Sequence, residues 1–388
     1  MTEIAILQTT ERDRAAGLSL GRQIREQLSG APDAIIVFAA PGNDFRSLLS
    51  ALAESTDTTT IVGCSSAGEF TNDEAGVGLT NATAIRAPDM RFTASAGTGL
   101  TSDYARAAHD VAARFQANRY PEFPHRAALI LVDALAGHAE EFVNALTVET
   151  AGSYRFFGGG AGDDARFQKT YVFCGTDVYQ DAAVALEIAS KKPIGVGARH
   201  GWTPASPPLR VTEAEASRVV SLNAAPAIQA FEDHAQSTSQ QFDQADPIPF
   251  FLHNIVGVDT GSGHKLRVPL GVADGGGVVC AAEIPAGATT HIMSTAAASA
   301  AEAAAEATRD AVRQVTSEGH QPKAALFFDC VATRLRLGKS FDEELNAVAA
   351  ELGGAPFAGF NSYGQIVRAE GQFSGFHNCT AVVCVLPD

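Results

Sequence analysis

The chain has 388 residues, is 46% apolar and 19% charged, and carries a formal net charge of −16. That length suits two or three ordinary cores, and no run of eighteen apolar residues is present to span a membrane as a helix. A surface of this sign repels phosphate backbones and anionic lipid, so nucleic-acid and membrane partners are not expected, while protein partners with basic patches stay open.

The first residues, Met1-Thr-Glu-Ile-Ala-Ile-Leu, show neither a basic start nor a long apolar stretch, and a cytoplasmic protein is expected. Residues 34–40 (AIIVFAA) read as a buried strand, and residues 44–54 (DFRSLLSALAE) carry helical spacing. A turn follows, Gly63-Cys-Ser65-Ser66-Ala-Gly68-Glu69-Phe, and then Asn81-Ala-Thr83-Ala opens an apolar tail. The order returns with a strand at 127–133 (AALILVD), a helix at 138–146, the turn Gly158-Gly-Gly160-Ala-Gly162-Asp163 and a tail from Asp181-Ala-Ala183.

A different stretch runs from Gly195 through Arg199-His200-Gly-Trp202-Thr-Pro to the helix start at Leu222-Asn-Ala-Ala-Pro, and polar residues 233–246 read as a linker. An eroded further copy is expected near Val278-Val-Cys280, after Ala273-Asp-Gly-Gly-Gly277. Residues 295–315 form an Ala-rich helix fit for close packing, within the fold or across a homodimer interface. The pattern then recurs: strand 324–330 (AALFFDC), helix 341–352, the turn Gly359-Phe-Asn-Ser362-Tyr363-Gly364-Gln365-Ile, and Asn378-Cys-Thr380-Ala. Repetition at about one hundred residues predicts an α/β fold of pseudo-repeated strand-helix-strand units forming two related α/β domains.

Glycines at such a turn permit positive φ, and a Gly-Ser-Gly loop can aim amides at a carboxylate; the alternative is a tight corner that binds nothing. The ligand-binding candidates are Ser65, Ser66, Gly68, Glu69, Gly160, Gly162, Asp163, Trp202, Ser362, Tyr363, Gly364 and Asn378, with Asp163, Asp164 or Glu69 placed to meet an amino group. The six cysteines form no CxxC pair and read as buried, reduced thiols. Gly63 to Gly68 misses the G-x-S-x-G nucleophile elbow, and neither HExxH nor GxxxxGK[ST] occurs, so catalysis is not expected and a hydrolytic enzyme is the remote alternative.

The runs IVGCSSAGEF, FFGGGAGDDARFQKTYVF, HGWTP with VTEAEASRVVSLNAAPAIQAF, and GFNSYGQI with GFHNCTAVVCVL resemble FIST sensory proteins from about residue 30 to 386. The resemblance implies a FIST N-type domain at 1–235, with a junction at 195–235, and a FIST C-type domain at 236–388. Two departures stand out: Arg334 is displaced by one position after Cys330-Val-Ala-Thr333, and Gly364-Gln365 replaces a Gly-Glu pair. The family implies signal input without catalysis. One subgroup binds haem, responds to nitric oxide and acts on a histidine kinase or a cyclic-di-GMP enzyme; amino acids are the other suggested ligands. For haem b the sequence excludes covalent attachment, as no CxxCH occurs, and offers His200, His377 and His253 as iron ligands. A metal-free sensor of a small polar metabolite such as an amino acid is the alternative.

Overall fold

The computed structural model describes residues 2–369 and 373–388. The first unit runs β1 (Glu3–Thr9), α1 (Asp13–Gln27), β2 (Ala34–Ala39), α2 (Phe45–Thr56), β3 (Ile61–Ser65), the short β4 (Glu69–Thr71) and β5 (Ala75–Gly76), and β6 (Thr80–Arg86). The second repeats it: β7 (Met90–Thr98), α3 (Leu100–Ala112), β8 (His125–Val132), α4 (Ala139–Glu149), β9 (Arg155–Gly160), β10 (Val172–Cys174), β11 (Asp177–Tyr179) and β12 (Ala182–Ser190). The third opens with β13 (Gly195–Arg199) and is then interrupted. Nine strands, β14 to β22, lie within residues 203–294 together with α5 (Ala227–Ser237) and α6 (Ile248–Phe251). It resumes with α7 (Ala297–Thr316), β23 (Pro322–Cys330), α8 (Val331–Leu337), α9 (Phe341–Leu352), β24 (Phe357–Ser362), β25 (Gln365–Arg368), β26 (Ser374–His377) and β27 (Ala381–Pro387).

Each unit builds one sheet in the same way. Its last strand lies between its first and second, giving β1-β6-β2-β3, β7-β12-β8-β9 and β13-β27-β23-β24, and the second and third strands pair in parallel. Every sheet is then completed to six strands by a hairpin from another unit. β10–β11 of the second unit extends β3, β25–β26 of the third extends β9, and β4–β5 of the first extends β24. The exchange is cyclic and leaves the hairpin of each unit inside its neighbour's sheet.

Strands β2 and β12 are buried along their whole length, because helices cover one face and the other sheets cover the opposite face. The inner faces share one core in which Phe38 meets Phe360 at 4.5 Å and Phe328 at 5.9 Å, with Phe157 at 6.1 Å from Phe328. At one position of each parallel pair only glycine fits: a Cβ on Gly63, Gly158 or Gly359 would lie 2.1, 2.0 or 1.8 Å from the carbonyl oxygen of Val37, Ile130 or Phe327. Five of the cysteines are buried, Cys174 is partly so, and all six are free. Among the described residues no helix is long and apolar enough to cross a membrane.

The α/β class holds, and three details differ from expectation. Val278 to Cys280 is no further copy: it lies in β21 (Gly277–Cys280) of the inserted antiparallel sheet, beside β16 (Arg218–Leu222) and β20 (Pro269–Ala273). Asn81 corresponds by register to Val184 and Val382, since it pairs with Phe38 where they pair with Leu131 and Phe328. The linker expected at 233–246 begins inside α5, whose His234 is buried against Asn254 at 3.2 Å. β13 pairs with β27, so strands from either side of the expected division at 235/236 share a sheet.

Gly359→Ala should therefore lower stability by roughly 3 kcal/mol or more, since backbone must shift to admit the methyl group. Gly271→Ala, where a Cβ meets nothing within 4 Å, serves as the control and should leave the melting temperature nearly unchanged.

Candidate functional site

The three Gly-containing turns meet at one junction and hydrogen-bond to one another in a ring. Ala67 donates its amide to Asn361 O (3.0 Å) and Asn361 to Gly68 O (2.8 Å), joining the first unit to the third. Tyr363 donates to Gly160 O (3.0 Å) and Gly160 to Gly364 O (2.8 Å), joining the third to the second. Gly162 donates to Ser65 O (2.9 Å), joining the second to the first. These amides are spent on carbonyls, so the turns act here as a seam more than as an open anion cradle. Ser65 Oγ accepts from Tyr171 N (2.9 Å), and Ser362 Oγ donates to Asp329 O (3.1 Å) while accepting from Gln365 Nε2 (2.8 Å). Positive φ at Gly68 (119°) and Gly364 (128°) lets both turns close, and a side chain on Gly364 would strike the Phe376 ring.

Beside the seam lies a knot of ionisable groups. Asp163 accepts from the amides of Phe167 (2.8 Å), Gln168 (2.7 Å) and Lys169 (2.9 Å) and from the Tyr363 hydroxyl. Burial alone would raise its pKa, but the Tyr363 bond and the three amides outweigh that and hold it below the usual range. Its neighbour Asp164 goes the other way, raised by burial and by Asp163 against the pull of Arg166, Arg334 and Arg12. Glu69 is 1% exposed and bonds the Ser66 hydroxyl and Leu79 N (3.0 Å), yet burial, with Asp164 adding, pushes its pKa up to about 8. Arg334, on α8, faces Asp164, Glu69 and Tyr363, and burial lowers its pKa. Arg334 Nε and Asp164 Oδ1 are buried without a hydrogen-bond partner among the described residues. Phe167 stacks on Tyr363 at 4.5 Å and 16° while remaining 46% exposed, and so roofs the knot.

The sequence supplies Ser66, Glu69, Asp163, Asp164 and Tyr363 to this place. It does not mark Phe167 or Arg12, and it marks Arg334 only as a displaced family position. Asp164, Ala165 and Phe167 all have positive φ (56°, 59° and 54°), a run of left-handed non-glycine backbone that composition does not reveal.

The remaining candidates lie elsewhere. Trp202 is buried and carries the Arg336 guanidinium over its ring at 5.3 Å. Asn378 accepts from Val268 N (3.3 Å) and donates its own amide to Leu266 O (3.4 Å), fastening the inserted sheet to the third unit. His200 and His377 flank Phe373, each ring 5.6 Å from it. His200 Nδ1 accepts from Trp202 N (3.3 Å) and Nε2 donates to His264 O (3.1 Å), so both nitrogens are engaged. His377 is 2% exposed, its Nε2 bonded to Ser374 O (3.2 Å) and its Nδ1 buried without a partner among the described residues. Burial, aided by Lys265 and Arg267, drives the His377 pKa well below the ordinary value. His253 is exposed just beyond α6, whose Phe250 and Phe251 face the core instead.

A b-type haem needs a flat apolar cleft beside a ligating nitrogen. The space lined by His200 and Trp202 measures about 10 Å³, enough for one water, so among the described residues the surroundings of His200 do not fit the group.

The Glu69 carboxyl gives a pH test. The folded chain keeps a proton that the unfolded chain releases above about 4.5, so this stabilisation is complete below that pH and is lost as pH rises towards 8. The melting temperature of Glu69→Gln, relative to the unsubstituted protein, should therefore climb by a few degrees between pH 5 and 8; a flat difference would place an ionised carboxylate there.

The FIST N domain matches residues 33–225 and the FIST C domain residues 227–368. No curated protein matches the chain. Among solved structures, cyanuric acid hydrolase from A. caulinodans is similar at 9% identity over 99% of each chain, with a TM-score of 0.32. PurL from T. maritima complexed with FGAR is similar at 11% identity over 100% of this chain and 73% of that one, with a TM-score of 0.25. The family assignment rests on the two domain matches, which adjoin and together take in most of the sequence: the chain belongs to the FIST family, with a FIST N domain followed by a FIST C domain.

Proposed function

We propose that this protein is a sensor of a small zwitterionic metabolite of the amino-acid type, read at the junction of the three units and relayed to a signalling enzyme such as a histidine kinase or a cyclic-di-GMP enzyme. FIST domains are small-ligand sensory signalling domains. The observation that carries it is Arg334, whose Nε is buried without a partner among the described residues while its charge faces Asp164 and Glu69.

A ligand carboxylate on Arg334 supplies the acceptor that its Nε lacks among the described residues, with the geometry arginine favours. The ligand's ammonium group meets Asp164 Oδ1, which is likewise unpartnered among the described residues. Its approach favours ionisation of Asp164, whose carboxyl is otherwise raised by burial. Phe167 over Tyr363 closes the site from solvent. Glu69 belongs to the first unit, Asp164 to the second and Arg334 to the third, so one bound molecule touches all three and favours whichever arrangement of the seam it fits. That is binding without turnover. The space of about 10 Å³ described at His200 favours this metal-free reading over haem-based nitric-oxide sensing.

A thermal-shift screen of the amino acids tests it. A true ligand at a hundredfold over its Kd should stabilise the fold by about 2.7 kcal/mol, and Arg334→Gln should abolish the shift. Haemin titration is the counter-test: a stoichiometric Soret band that disappears in His377→Ala, with no amino acid shifting the melt, would overturn the proposal in favour of haem.

A further inference from the structure

We propose a second ligand site, built from other residues than those of the junction: His138, Glu141 and Glu283 hold one divalent transition-metal ion of the zinc class. One ligand atom from each of the three side chains lies within 4.8 Å of the other two. His138 and Glu141 fall in the FIST N match and Glu283 in the FIST C match, so the ion ties one domain to the other.

Each group reaches the place for its own reason. His138 is the N-cap residue of α4, and Glu141 stands three positions further on, where helical neighbours meet. The His138 ring stacks on Tyr104 at 5.5 Å and 27°, which engages a ring face and leaves the nitrogens free at the edge, with Nδ1 at 4.0 Å from Glu141 Oε2. Glu283 arrives on the turn between β21 and β22 (Thr289–Ser294) of the inserted sheet. That turn is pinned along its length. Ala281 donates to Val268 O (2.8 Å), the Glu283 carbonyl accepts from Arg267 Nε (3.1 Å), and Ile284 is buried.

Acidic residues in the first turn of a helix complement its dipole, which accounts for Glu140 and Glu141 on α4. Glu140 is also spent on Lys265 (2.6 Å), Arg267 (3.5 Å) and the amide of Phe376 (2.9 Å). Glu283 has no helix to complement, and yet it is held against Glu141 with the two carboxyl groups in hydrogen-bond contact. Two carboxylates so close repel unless a proton or a cation joins them. The imidazole beside them makes the set one of mixed nitrogen and oxygen. Calcium and magnesium prefer oxygen alone, whereas imidazole with carboxylate suits zinc and its neighbours.

Three ligands at about 2.1 Å from an ion stand roughly 3.4 Å apart in a tetrahedral site, a spacing within reach of these side chains by rotation. Three protein ligands leave a fourth position for water. Glu141 and Glu283 also line a cavity of about 450 Å³ together with Lys265 and Arg267, which gives the ion and that water a way in.

Calorimetric titration of the intact, EDTA-stripped protein with Zn²⁺, and separately with Mg²⁺, is the test. One Zn²⁺ should bind per chain and raise the melting temperature, and Mg²⁺ should bind at least tenfold more weakly. His138→Ala and Glu283→Gln should each weaken Zn²⁺ at least tenfold, with unchanged circular dichroism. His109→Ala, which removes an exposed histidine paired with Glu149 at the far end of α4, should leave it unchanged. No stoichiometric Zn²⁺ binding, binding indifferent to both site variants, an equal loss in His109→Ala, or preference for Mg²⁺ would each overturn the proposal. Glu283 is exposed, so its substitution keeps the test sound if His138→Ala unfolds.

Discussion

Each of the three six-stranded sheets takes four strands from its own unit, and the remaining edge is filled by a hairpin from another unit. An open edge strand presents unpaired N–H and C=O groups that must be covered or paired; here the cover is cyclic. The ring of bonds at Asn361, Gly160 and Ser65 is the point where the three exchanged segments cross. Asn81 reinforces it by donating to both Phe70 O (3.2 Å) and Gly359 O (2.9 Å), residues of different units. The turns must be thin to cross at all. Cβ atoms on Gly162 and Gly160 would lie 2.8 Å and 2.7 Å from the side chains of Ala67 and Ala134.

The same crossing creates the chemistry. Three chains passing through a buried point leave little water for their charged side chains, so each carboxyl is set by the partners it finds. Asp163 and Asp164 are adjacent in sequence and shift in opposite directions. The first has four donors that stabilise its charge, whereas the second is raised by burial, with an oxygen left bare. Arg334 enters from α8, a helix that begins directly after β23, and reaches the knot because that strand ends at the seam. Exchange of hairpins and concentration of unsatisfied charge thus have one cause.

Much of the architecture was legible in the sequence because its signals are local. The runs at 34–40, 127–133 and 324–330 are apolar on both faces, as buried parallel strands must be, and all three are strands. The Gly-Ser-Gly turns announced themselves by repetition and do converge. What could not be read was long-range: nothing in residues 172–174 says that they pair with β3 rather than within their own unit. The third unit was obscured because ninety-odd residues of antiparallel sheet separate β13 from α7. His253 misled because the apolar run beside it is a short helix with phenylalanines inward and the histidine outward. His200 and His377, offered by the sequence as iron ligands, are neighbours across Phe373; both ring nitrogens of His200 and Nε2 of His377 are engaged by backbone hydrogen bonds.

The hairpin exchange also sets a timetable for biosynthesis. Asn81 and the Gly359 carbonyl it grips are 278 residues apart. At roughly 5–20 residues per second on the ribosome, β4 waits about 15–60 s for the strand that will pair with it. The first unit therefore cannot complete its contacts while it is the only one made. A nascent chain carries an unclaimed hairpin until the third unit emerges, and non-local pairing of this kind folds slowly and leaves edges open to aggregation. Chaperone occupancy on the growing chain should be longest over residues 69–76, the segment made early and docked last.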